Sequence, residues 1–324
     1  MSAGASHPLL APLSAALRRR VLGVFPRGRS GIDYDTPAGD PGLFGPDTIT
    51  WRIHADFPGM LAGGLCALML QALHPRVVAG VWDHSDFRDD LIGRLRRTTA
   101  FVAGTSFAGT AEAQRLVARV RTIHGRVRGE TADGQPYSAD DPDLLAWVHA
   151  SEAYAFAQGF RRYGGLPVPD WAEDRYYAEG VGVAQALGAL EVPDSRAALG
   201  AYFDAHRPAL RHDARSREVL GVLARIRLPV PGATMTRGLF LGAGAALLPP
   251  WATTMLGFTP LQRARHAACA RALETLAPVF RIALPDGAGP QACRRVGVPP
   301  EILRAWPAAP AIRDGQSASV SAPK

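Results

Sequence analysis

Four residues in one short stretch have the types and spacing to do chemistry. Arg94 and Thr98 stand four apart, and so do His124 and Arg128, within IGRLRRTTAFVAGTSFAGTAEAQRLVARVRTIHGRVRG (residues 92–129). On a helix, residues four apart share a face. The stretch reads as two helical pieces joined by Gly, Thr and Ser, so the two pairs can face each other. An imidazole can ligate iron through one ring nitrogen, and guanidinium groups hold carboxylates in a bidentate grip. One histidine with arginines beside it in a largely apolar chain therefore suits a haem, imidazole for the iron and guanidinium for the propionates. The same spacing also suits a solvated arginine face with a partly buried imidazole. Arg94 could equally pair with Asp90 one turn earlier, and the Thr98 hydroxyl could bond the carbonyl four residues before it.

The elements that must position these residues are helical. Residues 56–81 (DFPGMLAGGLCALMLQALHPRVVAGV) are apolar on nearly every side, which marks a core helix, broken near His74-Pro75. Its small residues Ala62, Gly63 and Gly64 let another backbone, or a flat cofactor, come close. Helices follow at about 88–103 and 111–124, the second with Thr110 as N-cap. Asp133-Gly134 predicts a turn in one small hairpin. Asp141-Pro142 opens a helix of about 20 residues that stops at Gly164-Gly165. Asp170 with Glu173 reads as a capping box for a helix ending near Gly188, and Asp194 or Ser195 caps the next, to about His206. Helices near 216–226, 232–247, 260–281 and 300–306 complete an all-α pattern of about ten helices with at most one small hairpin. Residues 1–46 form a Pro- and Gly-rich leader, expected to be flexible with a short helix near 9–25. Residues 47–310 form one domain, and 311–324 are expected to be a disordered tail.

Bulk composition removes several classes. The chain has 324 residues, 47% hydrophobic, enough for a sizeable core. Its formal charge is +7, but Lys324 is the only lysine, and Arg with Ala richness reads as coding bias rather than a nucleic-acid surface. Cys66, Cys269 and Cys293 are widely spaced, with no CxxC or CxxCH, which argues against a zinc ribbon or a covalently attached haem. That usage suits a reducing compartment, and a cytoplasmic location is expected. The apolar runs at 59–73 and 238–248 are short for a membrane span. Arg18–Arg20 could touch an anionic membrane surface, although a solvated tail accounts for them as well. GxG in FLGAGAAL (240–247) lacks a third glycine and a βαβ setting. Asp89-Asp90 and Asp140-Asp141 lack a partner magnesium motif, and neither HExxH nor GxSxG occurs.

An ordered series of motifs then carries a resemblance. PGMLAGGLCALMLQALHPRVVAGVWDHSDF, GRLRRTTAF, VRTIHGRVRGETADGQPYSADDPDLLAWVHA and DRYYAEGVGVAQALG together resemble the MpaB/rubber oxygenase catalytic domain family, which includes the latex-clearing proteins, from about residue 47 to about 280. The resemblance implies a globin-like helical core holding non-covalent haem b, with His124 as proximal iron ligand. It implies Arg94, Thr98 and Arg128 as haem-contacting residues, Arg94 and Thr98 also serving catalysis. The expected function is a haem-b oxygenase using dioxygen on a small apolar, unsaturated substrate of isoprenoid or lipid type, by oxidative C=C cleavage. A non-catalytic haem carrier or sensor on the same fold is the alternative. The family's distal glutamate has no counterpart in 74–91, where Asp83, Asp86 and His84 are the nearest polar residues. His74 reads as a turn residue and His149 as a satisfied core histidine. Glu179 is expected to pair with an arginine such as Arg94 or Arg97.

Overall fold

A computed structural model describes residues 15, 16, 18, 19, 31–226 and 233–309. All but four residues of the helix expected at 9–25, and the tail from 311, lie outside that set. The described chain is all-α with one antiparallel hairpin, β1 (Arg128–Glu130) with β2 (Pro136–Ser138), in the register Gly129 to Tyr137. Thirteen α-helices are present among the described residues. The expected set lacked three short ones: α1 (Ile49–Ala55), α11 (Pro250–Met255) and α13 (Ala288–Val296). Each is too short to show a helical period in sequence.

The core is built on two long helices, α2 (Phe57–Gln71) and α6 (Pro142–Tyr163), which pack along most of their length. Asp56 caps α2 by accepting from Gly59 N at 2.9 Å, and Asp141 caps α6 ahead of Pro142. A Cβ on Gly63 would lie 2.7 Å from the Ala155 carbonyl oxygen, and one on Gly159 would lie 2.3 Å from that of Gly59. The small residues of α2 therefore serve helix–helix contact, while a Cβ on Gly64 would meet only the Phe156 ring, at 3.9 Å. Leu70 and Leu73 are fully buried, each contributing about 1.5–3 kcal/mol. The apolar run breaks at Ala72–His74, and α3 (Pro75–His84) starts at proline, as the sequence implies. Helices α10 (Ala233–Ala245) and α12 (Pro260–Ala283) close the other side of α2. No single described helix is long and apolar enough to cross a membrane; α1 and α2 reach the length together but meet at 90°.

Two capping expectations are corrected. Thr110 is the first residue of α5 (Thr110–His124) and does not cap it. The cap comes from a distant residue: Asp40 accepts from Thr110 N at 2.7 Å and from its hydroxyl at 2.6 Å. Glu173 is no capping-box partner in α7 (Asp170–Leu187) either. It turns inward, 3% exposed, where it pairs with Arg161 and accepts from Gln158 at 3.2 Å and Tyr177 at 2.8 Å. Ser195 caps α8 (Arg196–His206), and α9 (Ala214–Ala224) follows.

Candidate functional site

Helix α4 (Leu91–Phe107) and α5 form an antiparallel hairpin joined through Ala108 and Gly109. A Cβ on Gly109 would meet Asp40 and Pro37 at 2.9 Å, so the close approach that supplies the cap requires glycine. Arg94 lies 13 residues before the end of α4 and His124 lies 14 residues after the start of α5. At 1.5 Å per residue both sit about 20 Å from the turn. The hairpin thus brings Arg94, Thr98 and His124 to one end, as their spacing implied.

All three line a cavity of about 1510 Å³ walled by α2, α3, α4, α5, α6 and α7. Ligand pockets commonly measure about 300–1,000 Å³, so this one has room for more than one drug-sized molecule. Thr98 and Ile123 line it and are exposed, which places an opening beside them.

His124 is half-buried, and its Nδ1 is buried without a hydrogen-bond partner. Burial lowers its pKa, against the pull of Asp140, so the imidazole is neutral and can act as a ligand. Arg94 is half-buried too. Its guanidinium donates to Ser85 Oγ at 2.7 Å and meets no carboxylate among the described residues. Burial, with Arg97 nearby, lowers its pKa. Asp90, the partner it could have taken, caps α4 through Gly93 N at 2.8 Å and reaches Arg97 at 3.5 Å. The Thr98 hydroxyl makes no hydrogen bond among the described residues, whereas those of Thr105 and Thr122 bond back along their helices. Arg128 stands apart. It is exposed on β1, 3.4 Å from Asp140, and does not line the cavity. It sits beyond the end of α5, where the one-face argument no longer applies.

The remaining expectations sort as follows. His74 is the N-cap residue of α3 and packs against Trp147, outside the cavity lining. His84 Nε2 donates to the Arg128 carbonyl oxygen at 3.1 Å. Asp83 accepts from Tyr137 OH at 2.7 Å. Glu179 does not meet Arg94 or Arg97. It holds the start of α1, accepting from Ile49 N at 3.0 Å and Thr50 N at 2.9 Å, and pairs with Arg175 at 2.9 Å. His149 is not satisfied as expected: it lines the cavity with Nε2 buried and unpartnered.

Two cavity groups escaped the sequence reading. Glu152, one turn after His149 on α6, is enclosed by protein yet faces the cavity, and burial pushes its pKa up to about 7. His54 on α1 bonds Ser106 Oγ at 2.6 Å and Tyr176 OH at 2.9 Å. Burial pushes His54 down to about 3 and His149 to about 4, so both are neutral. The spacing of His149 and Glu152 was the available signal, and the strongly apolar LLAWVHA context concealed it.

Comparison with known families decides the kinship. The family model described as ER-bound oxygenase mpaB/B'/rubber oxygenase, catalytic domain, matches residues 51–282. The chain belongs to that family. The membership makes it an oxygenase-type oxidoreductase domain, and the matched segment runs from α1 to the end of α12, which takes in most of the cavity lining, residues 284–304 contributing the rest. Neither a curated protein nor a solved structure matches the chain.

Proposed function

We propose that this member is a haem-b-dependent oxygenase acting with dioxygen on an apolar, unsaturated substrate of isoprenoid or lipid type, cleaving it oxidatively at a C=C bond. The observation that carries the proposal is the pairing, on one cavity wall, of a buried imidazole nitrogen and a half-buried guanidinium that have, respectively, no hydrogen-bond partner and no carboxylate among the described residues. A buried unpaired polar group costs about 1–3 kcal/mol, and a haem would relieve both sites at once. His124 would ligate the iron through one ring nitrogen, and Arg94 would hold a propionate. Among the described residues no three His, Cys, Asp or Glu side chains gather to hold a bare metal ion. A lone histidine suits iron that brings its other ligands in a macrocycle. When bound, haem supplies reversible binding and activation of dioxygen.

The chain's own residues set the conditions for that chemistry. The neutral state of His124 leaves a lone pair for the metal. The free Thr98 hydroxyl, one turn from Arg94, can donate to a propionate or to an oxygen ligand. The apolar faces of α2 and α3 exclude water and accept a hydrocarbon body. Arg128 remains a weaker candidate for haem contact, given its pairing with Asp140.

The test is an absorption spectrum of the purified protein, before and after dithionite, then with carbon monoxide. A Soret band that shifts at each step is expected, and His124→Ala should abolish it while the fold survives, since Nδ1 makes no hydrogen bond. A His124→Ala protein with full haem occupancy and an unaltered spectrum would sink the ligand assignment. Ferrous protein that binds carbon monoxide but consumes no oxygen with any alkene would favour a carrier or sensor.

A further inference from the structure

The cavity also carries hydrogen-bonding groups that form no ion pair among the described residues and that the haem reading does not use. Glu152 on α6 faces the cavity and forms no ion pair among the described residues. Gln71, at the end of α2, lines the cavity beside it, and the Gln71 amide also lies 3.4 Å from the Val148 carbonyl oxygen. His149 sits one turn before Glu152, with Nε2 unpartnered against Gly180 of α7, where an added Cβ would lie 3.1 Å from it. Tyr176 and His54 back this group, but they already bond each other and Ser106.

We propose that Glu152, Gln71 and His149 form a polar subsite with no ion pair among the described residues, so that the substrate is an amphiphile: a long apolar body with one uncharged hydrogen-bonding head, an alcohol or a carbonyl. The inference rests on taking the cavity as the substrate chamber of the oxygenase. Gln71 already bonds the Val148 carbonyl and Glu152, but a pure hydrocarbon would leave His149 Nε2 without a partner and would offer none to the remaining lone pairs and N–H groups of the other two, which is the costly arrangement. A hydroxyl can donate to the carboxyl oxygen and accept from the amide, and a carbonyl can accept from a protonated carboxyl. A charged head fits less well at this subsite, because it would have to shed its own water beside groups that hold no ion pair among the described residues. Burial raises the Glu152 carboxyl to about 7, so a protonated share persists near neutral pH, and both neighbouring histidines are uncharged, which agrees with a neutral head.

The experiment is equilibrium binding of farnesol and of the hydrocarbon farnesene, which share an isoprenoid body, to the full-length protein as purified. One net hydrogen bond predicts about five- to tenfold tighter binding of the alcohol. Glu152→Leu should erase that preference, Glu152→Gln should keep most of it, and Gln71→Leu, on a different helix, should reduce it. Equal binding of the two ligands to the wild type would overturn the proposal. So would an alcohol preference that survives both leucine variants, or tighter binding of farnesylamine than of farnesol. The Soret band reads the haem separately. Alcohol preference without haem would retain the subsite and remove the oxygenase reading; haem without alcohol preference would do the reverse.

Discussion

Replacing Arg94 by leucine should leave the bare protein almost unchanged and weaken its haem complex. In the structure the guanidinium has one hydrogen bond, to Ser85 Oγ at 2.7 Å, and no carboxylate among the described residues. Leucine forfeits that bond, about 0.5–1.5 kcal/mol, and gains apolar contact with the cavity wall while removing a half-buried charge. The net change in unfolding free energy should therefore stay within about 1 kcal/mol of zero. A bond from guanidinium to a propionate is charge-assisted and contributes about 1.5–3 kcal/mol, so haem affinity should fall about 10- to 150-fold. Denaturant melts of haem-free protein give the first quantity, and Soret-monitored haem titration gives the second. If Arg94→Leu costs 3 kcal/mol or more without haem, the arginine is a structural cation and the argument fails. Unchanged haem affinity would refute it equally.

Other consequences are direct. Glu152 has a folded pKa raised to about 7, so the folded state holds a proton that the unfolded state releases near pH 4.5; stability on its account is full below pH 4.5 and falls through pH 7, by up to about 3 kcal/mol. The lowered values of His54 and His149 act the other way, stability rising with pH from about 3–4 to 6.5, so the difference between wild type and Glu152→Gln isolates the carboxyl: the variant should gain relative stability as pH rises, and parallel profiles from urea melts would contradict this. Glu173→Ala strands Arg161, Gln158 and Tyr177 and should cost about 3 kcal/mol or more in the same melts. Gly159→Ala, whose Cβ would lie 2.3 Å from the Gly59 carbonyl oxygen, should destabilise by about 1–3 kcal/mol, whereas Gly182→Ala on α7 meets nothing within 4 Å and should be neutral or stabilising.

Local signals in the sequence were enough for the helices that carry the site. Asp141-Pro142, the break at His74-Pro75, Gly188 and the Asp133-Gly134 turn each act through their own backbone, and each lies where expected. What escaped depends on partners far along the chain. Asp40 caps α5 from 70 residues away, so Thr110 had no need to. Glu173 was free to turn inward once Pro169 opened α7. Arg94, Thr98 and His124 converge because a two-helix hairpin preserves spacing, while Arg128, past the helix end, is governed by strand geometry instead. Glu152 became visible only when α2 and α7 closed around it, since burial is not a property of its neighbours in sequence.

The α4–α5 hairpin is fastened very unequally at its two ends. At the turn, Trp51 Nε1 donates to the Ser106 carbonyl at 2.8 Å, Arg295 to that of Phe107 at 2.6 Å, and Asp40 grips Thr110. At the far end the ties are fewer: Arg94 donates to a hydroxyl, Arg121 to the Ala186 carbonyl at 3.3 Å, and His124 Nδ1 has no partner among the described residues. Mechanically this is a cantilever: rigid at its root, compliant at the tip that borders the opening beside Thr98 and Ile123. A small bend at the root is multiplied over the roughly 20 Å to the tip, so residues that touch neither ligand nor cavity, Asp40 and Arg295 foremost, set how readily the opening widens.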